Sequence, residues 1–209
     1  MARAKAVPDG PREARTRKRY EGRRQEVADI AARVFAERGY DATSIDDLVE
    51  ATGLQRGGLY HYIEGKKDLL IRIHGRFIEP LLDESREICA AEPPPDVALR
   101  LLARALMQNI DRYRDQVTVF FNEWRMIEHD PEWTEIRASR QEFADMIDSV
   151  LDRGAREGMF TISDRRMTLF AFLGMLNYSH QWFDSNGRVA ATDVADHFCD
   201  IFLQGITTR

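Results

Sequence analysis

The residues best placed for chemistry stand together in one stretch from Thr43 to Lys66, TSIDDLVEATGLQRGGLYHYIEGK. Gln55, Arg56, Gly57, Gly58, Tyr60 and His61 gather polar and basic groups around the N-terminus and outer face of a short segment. Its inner positions are Leu59 and Ile63. Such groups make hydrogen bonds and ion pairs, so the chemistry is recognition. Thr43 and Ser44 are hydroxyls placed to cap a preceding helix carrying Ile45, Leu48 and Val49 at helical spacing. Gly53 tolerates a left-handed turn and Leu54 can bury itself between the two helices. The pattern is a helix-turn-helix, in which the second helix enters a DNA major groove and its first residues meet base edges. Lys66 opens the next helix, where a positive charge is unfavourable, and a DNA phosphate would compensate it; a solvated lysine is the alternative. The expected DNA contacts are therefore Thr43, Ser44, Gln55, Arg56, Gly57, Gly58, Tyr60, His61 and Lys66.

Bond-making chemistry has little to stand on. His61, His74, His129, His180 and His197 are scattered, without a zinc-binding His/Glu pattern. Cys89 and Cys199 are far apart, and neither has a general base beside it. The Gly57-Gly58 pair starts a helix in a helical hairpin and does not follow a strand as a phosphate loop would. No catalytic residue, metal or cofactor is expected.

A second constellation lies further along. NEW, residues 122–124, and LGMLNYSHQWF, residues 173–183, bring polar groups into apolar helices. Phe121, Glu123, Trp124, Arg125, Asn177, Tyr178, Gln181 and Trp182 are the expected lining of a pocket, mostly apolar with a few placed hydrogen-bonding groups. The alternative is ordinary core or subunit interface. The segment from Arg165 to Ser185 is apolar on more than one face, so it needs a partner besides its own core. Gly174 with Phe198, Phe202 and Ile206 of the last helix is the expected homodimer interface.

The elements that must hold these groups are all helical. The chain has 209 residues, enough for one large or two modest domains. Residues 1–17, with Pro8, Gly10 and Pro11, read as a flexible basic arm, either solvated or lying on phosphates. Residues 18–67 read as the helix-turn-helix domain, its first helix running from Lys18 to Gly39 with Val27, Ile30, Ala31, Val34 and Phe35 as the buried stripe. Residues 68–209 read as a helical ligand-binding and dimerisation domain. A fourth helix runs to Ala91 with Pro80 inside it, and three prolines, 93–95, form a stiff break. Further helices follow over 96–113, 117–127 and 130–157. Another runs to Ser185 after a cap at Ser163 or Asp164, and a last one is capped by Thr192. The formal net charge of −5 argues weakly against nucleic acid, but Arg15, Arg17, Lys18, Arg19, Arg23 and Arg24 concentrate positive charge at one end of an acidic chain. Nothing approaches the roughly 18 apolar residues of a membrane span, and the N-terminus lacks a secretory core. A reduced, cytoplasmic protein away from the membrane is expected.

The order of these pieces, from Arg24 to about Leu70, resembles the DNA-binding domain of the TetR family of bacterial repressors. A glycine and an apolar residue close the turn, followed by Gln55-Arg56-Gly57-Gly58, Leu59-Tyr60-His61-Tyr62 and Gly65-Lys66-Lys67-Asp68-Leu69-Leu70. One departure is Gly58, where the family commonly has Ser or Thr. Two adjacent glycines cost such a helix roughly 2 kcal/mol relative to alanines, and let the backbone approach DNA closely. The resemblance implies an all-α homodimer that binds a palindromic double-stranded operator, pairs through its last two long helices and is released by a small molecule. The LNY…QW stretch is similar to members that sense acyl-CoA thioesters; fatty acids, steroids and aromatic acids stay open. A DNA-binding regulator without an effector, and a helical enzyme or carrier, are the competing readings.

Overall fold

The computed structural model describes residues 11–129 and 131–208. Residues 1–10 of the expected arm lie outside the described residues. Contacts divide the chain into two compact units, one ending at Ile73 and one beginning at His74.

The first unit holds α1 (Pro11–Arg38), α2 (Ile45–Thr52), α3 (Arg56–Tyr60) and the opening turns of α4 (Lys66–Ala90). Among the described residues α1 already includes Pro11, well before the expected Lys18. Val27, Ala28, Ala31, Ala32 and Phe35 are buried along it, while Ile30 is only half-buried. Leu48 and Leu59 face the same core, completely buried. Gly53 ends α2 at φ +66°, a left-handed conformation that side chains resist. Leu59 N donates to Gln55 O at 2.9 Å and Ile63 N to Leu59 O, so a turn of only five residues is held at both ends.

The second unit is built on α5 (Pro95–Arg112), which packs against α6 (Arg114–Asn122), α8 (Thr134–Arg156), α9 (Arg165–Asn177) and α10 (Ala191–Ile206). Ala98, Leu99, Leu102, Ala103, Leu106 and Met107 of α5 are buried, the apolar stripe of a helix with neighbours on several sides. Pro95 starts it, and Arg153 Nη2 donates to Pro93 O at 2.6 Å, tying the proline segment to α8. Asn109 Nδ2 of α5 donates to Phe77 O of α4 at 2.8 Å, about one turn before Pro80.

Several expected boundaries move, each for a local reason. The helix expected over 117–127 breaks at Glu123, which ends α6, and α7 (Trp124–His129) restarts at once. Pro131–Trp133 forms a 3-10 turn, so α8 starts only at Thr134. Asp164 caps α9 by accepting from Met167 N at 3.0 Å. α9 stops at Asn177 and not near Ser185. Ser179 Oγ bonds the Leu176 carbonyl and His180 Nδ1 lies 2.6 Å from Asn177 O, so side chains take carbonyls a longer helix would use. Tyr178–Gln181 follows as a 3-10 turn. Ala190, extended at φ −71°, ψ 153°, precedes α10 in place of the expected cap Thr192, which lies inside the first turn.

Candidate nucleic-acid interface and ligand cavity

In the first unit, the two hydroxyls before α2 differ: both bond within the fold, but Ser44 stays exposed and Thr43 does not. Ser44 Oγ accepts from Asp47 N at 3.1 Å while Asp47 Oδ2 accepts from Ser44 N at 2.7 Å, a reciprocal capping box. The Ser44 hydroxyl also donates to Asp47 Oδ2 at 2.6 Å; that bond, the one from Ser44 N–H and the Arg38 guanidinium 3.0 Å away hold the Asp47 carboxyl below its ordinary pKa. Thr43 is buried and its Oγ1 donates to Gly39 O at 2.7 Å. Its hydroxyl therefore cannot reach out as a side-chain contact, which corrects its place among the expected surface residues. Where the sequence suggests a helix cap, the fold uses Thr43 to close the preceding turn.

The outer face of α3 is open. Gln55 precedes the helix in extended conformation and makes no side-chain cap bond. Arg56 is exposed, with Asp46 3.5 Å away, and Tyr60 is 48% exposed. A methyl group added at Gly57 would meet nothing within 4 Å, and one at Gly58 only Leu54 Cβ at 3.9 Å. Internal packing does not require glycine at either position. His61 is exposed and its carbonyl accepts from Tyr20 Oη at 2.9 Å, with the two rings edge-on. Arg24 Nε donates to Tyr62 O at 2.8 Å and its guanidinium pairs with Asp68. Thus α1 clamps the C-terminal end of α3 through Tyr20 and Arg24. Lys66 Nζ sits 4.4 Å from the Tyr40 ring centre and 3.4 Å from Asp41 O, an internal answer to the charge the sequence left uncompensated.

The second unit holds a cavity of about 650 Å³ that is partly open to solvent. Phe77, Ile78 and Leu81 of α4, Leu106 of α5, Phe120 of α6 and Phe143 of α8 form apolar walls. Of the expected lining, Phe121, Trp124, Asn177 and Tyr178 are there. Glu123, Arg125, Gln181 and Trp182 are not among the lining residues. Glu123 is spent at the α6–α7 break, Arg125 is exposed, and Trp182 meets Phe198 edge-on at 6.1 Å. Gln181 Nε2 lies 2.6 Å from His180 Nε2. Because the Asn177 carbonyl can only accept, His180 Nδ1 carries the proton and its Nε2 accepts from Gln181. The His180 ring stacks on Phe121 at 4.3 Å.

Sequence reasoning missed Asn109, Glu128, Arg137 and Arg140, which also line the cavity. Arg137 Nη1 donates to Ile127 O at 2.9 Å. The Arg140 guanidinium lies 4.0 Å from the Trp124 ring centre, and partial burial lowers its pKa although the residue as a whole is exposed. Their spacing on α8 is an ordinary helical one, so only the break at Glu123, which sets Trp124, could have marked them.

The expected interface residues divide. Gly174 lines the cavity. Phe202 is buried against Phe172 at 4.9 Å, so it belongs to the core of one subunit, a correction. Phe198 and Ile206 are half-buried, and Ile206 O accepts from Thr161 N at 2.7 Å. The exposed apolar side chains of α9 and α10 are Met167, Phe170 and Ile201, at 62, 52 and 53%.

Among the described residues no His, Cys, Asp or Glu cluster is arranged for a metal, and no helix is long and apolar enough to cross a membrane. Burial pushes the Cys199 thiol up to about 12 and raises Cys89, so neither is a reactive thiolate.

Comparison with known proteins agrees with this geometry. A sequence profile described as "Tetracyclin repressor-like, C-terminal domain" matches residues 92–206, and "Bacterial regulatory proteins, tetR family" matches residues 28–73. The HTH-type transcriptional repressor KstR2 of Rhodococcus jostii is 29% identical over 90% of this chain and 92% of its own length. The structure of the ketosteroid transcriptional regulator KstR2 of Mycobacterium tuberculosis superposes with a TM-score of 0.84 at 27% identity, covering 90% of this chain and 96% of that one. PfmR, a TetR family transcriptional regulator from Thermus thermophilus, gives a TM-score of 0.75 at 29% identity, over 85% of this chain and 97% of that one. The chain therefore belongs to the TetR family of bacterial regulatory proteins, and is a DNA-binding transcriptional repressor and not an enzyme.

Proposed function

We propose that this repressor is a cytoplasmic homodimer released from its operator by a small, largely apolar molecule bound in the second unit. The observation that carries this reading is the cavity of about 650 Å³, mostly apolar yet edged by Asn177, Tyr178, His180 and Arg140, the composition of a ligand site. α4 extends from Lys66, through residues buried in the first unit, to Phe77, Ile78 and Leu81 on the cavity wall, with Pro80 among these last turns. A ligand that favours one placement of these turns would bias the separation of two recognition helices. DNA accepts those helices only about one helical turn, roughly 34–36 Å, apart or at multiples of it. The ligand then lowers DNA affinity by its differential binding to the two states.

On the DNA side, Gln55, Arg56, Gly57, Gly58, Tyr60 and His61 would meet the operator, with Ser44 and Lys66 at its phosphates. That Gly57 and Gly58 answer to no internal contact supports close backbone approach by an external partner. The second subunit would cover Met167, Phe170 and Ile201, which expose apolar area that water disfavours. The effector class comprises acyl-CoA thioesters, fatty acids, steroids and aromatic acids. The KstR2 relatives, one of them named a ketosteroid regulator, support the lipid-like end of this range.

A mobility-shift series on DNA upstream of the protein's own gene tests the reading, with and without acyl-CoAs and apolar acids. Binding should fall steeply with salt as phosphates release counterions, and Arg56→Ala should weaken specific binding while dimer and fold persist. Wild-type affinity in Arg56→Ala across the salt series would remove Arg56 from the interface. Failure of every candidate acid and thioester to alter binding would remove the effector.

A further inference from the structure

We propose that Arg140 is an anion-binding residue of the cavity, so that the preferred ligand joins an apolar body to a negatively charged group. The proposal rests on the cavity being the ligand site, as argued above, and adds the charge that ligand must carry.

Among the described residues, the arginines of the second unit are mostly committed. Arg104 holds Asp196 at 2.6 Å, Arg165 holds Asp148 at 2.9 Å, and Arg100 holds Asp200 at 2.6 Å. Arg137, the other arginine on the cavity, donates to Ile127 O and to Thr134 Oγ1 at 3.1 Å. Arg140 stands apart: among the described residues it reaches no carboxylate within salt-bridge distance and no hydrogen-bond acceptor, and its one close partner is the Trp124 ring at 4.0 Å. Glu128, also on the cavity, attracts it through space without a bond.

A guanidinium over an aromatic ring uses its face, and its N–H groups stay available in the plane of the fork. Trp124 thereby holds the head toward the cavity and shields one side from water. Arg140 is exposed as a residue, yet partial burial of its charge lowers its pKa, and no anion at bonding distance among the described residues makes up the lost hydration. An anionic ligand group would restore what hydration no longer supplies. The remaining walls, Phe120, Phe121, Phe143 and Leu169, favour an apolar body beside it. Two sources share this chemistry: the carboxylate of a free apolar acid, and the phosphates of a coenzyme A thioester.

Two fluorescent probes with one aromatic body separate charge from apolar burial: anilinonaphthalene sulfonate and the neutral phenylnaphthylamine. Wild-type protein should bind the sulfonate roughly tenfold or more tighter than the neutral probe, in line with a hydrogen-bonded charge pair. Arg140→Gln should erase that preference and leave the neutral probe's affinity unchanged, which also reports an intact cavity. Arg137→Gln, whose guanidinium is engaged by the backbone, should keep the preference. Displacement of the sulfonate by dodecanoate but not dodecanol assigns a carboxylate; displacement by dodecanoyl coenzyme A alone assigns phosphates. Equal wild-type affinities for the two probes, or an undiminished preference in Arg140→Gln, overturns the proposal. The mobility-shift assay keeps the two readings apart: charge-selective binding with no change in DNA affinity would leave Arg140 its anion and deprive the cavity of its regulatory role.

Discussion

His74 is buried and, among the described residues, has no hydrogen-bond partner at Nε2, its ring between those of Phe77 and Phe120 at 5.2 Å from each. Burial lowers its pKa from 6.5 to about 4. The unfolded chain therefore binds a proton near pH 6.5 that the folded chain refuses until about pH 4. The stability from a neutral His74 is complete above pH 6.5 and is lost as pH falls through that window, the loss reaching about 3 kcal/mol below pH 4. Melting temperatures from pH 7 to 4 should show this fall, and His74→Phe should flatten much of it; an equally steep fall in the variant would assign the loss to other groups. A second residue carries a test of pocket against core. Trp124 is half-buried on the cavity under Arg140, so Trp124→Ala should blunt ligand-induced DNA release more than it lowers the melting temperature. A core tryptophan would instead cost roughly 3–5 kcal/mol with the ligand response intact. At this scale the sequence was legible where residue type alone restricts the role, as at Gly53 with its positive φ, or Ser44 three residues before Asp47. It was silent on Arg140 and Asn109, because whether a polar side chain has a partner depends on elements distant in the chain. Thr43 and Ser44 look equivalent in sequence; only the fold shows Thr43 turned inward.

Helices were legible as far as apolar periodicity reaches, and their ends were not. α5 and α8 came out within a few residues because their stripes are long and bounded by proline or glycine. The breaks at Glu123 and after Asn177 left no proline or glycine to announce them; they depend on side chains capturing carbonyls. Phe202 packs on Phe172 inside one subunit, whereas Phe170 and Ile201 stay exposed. Ile201→Glu should dissociate the dimer in sedimentation with little loss of helix, while Phe202→Glu should unfold the second unit, since an unpaired charge would be buried. A folded dimer in both variants would place the subunit contact elsewhere. A tighter constraint acts where α8 ends. Met159 N and Phe160 N both donate to Gly154 O, and a methyl group at Gly154 would run into the Phe160 ring. Gly154→Ala should therefore destabilise by about 1–3 kcal/mol despite its better helix propensity, read by denaturant titration.

For the whole molecule, regulation requires that events at the cavity be felt in the helix that enters the reading unit. The overall plan of a helix-turn-helix followed by a helical body was readable from the motif and the run of amphipathic segments. The contact proposed here to couple them was not, since it is a single hydrogen bond between residues 32 positions apart. Asn109 is buried on the cavity, and its Nδ2 donates to the Phe77 carbonyl of α4 at 2.8 Å. Three residues on, Pro80 cannot donate within the helix, so the α4 ladder is interrupted beside this bond. A displacement of Asn109 by a ligand would thus act on α4 where its backbone is least self-sufficient. Asn109→Ala removes the bond at a cost of about 1 kcal/mol, small enough to leave the fold and unliganded operator affinity near wild type. Anionic probe binding should persist, because Arg140 and the apolar walls remain. The change in operator affinity produced by the ligand should shrink, by roughly two- to tenfold for a coupling of ordinary size. Titrating DNA release and probe binding on the same preparation separates these quantities. Full release by Asn109→Ala at wild-type ligand affinity would mean that the cavity reaches α4 through its apolar wall, at Phe77, Ile78 and Leu81, and not through this bond.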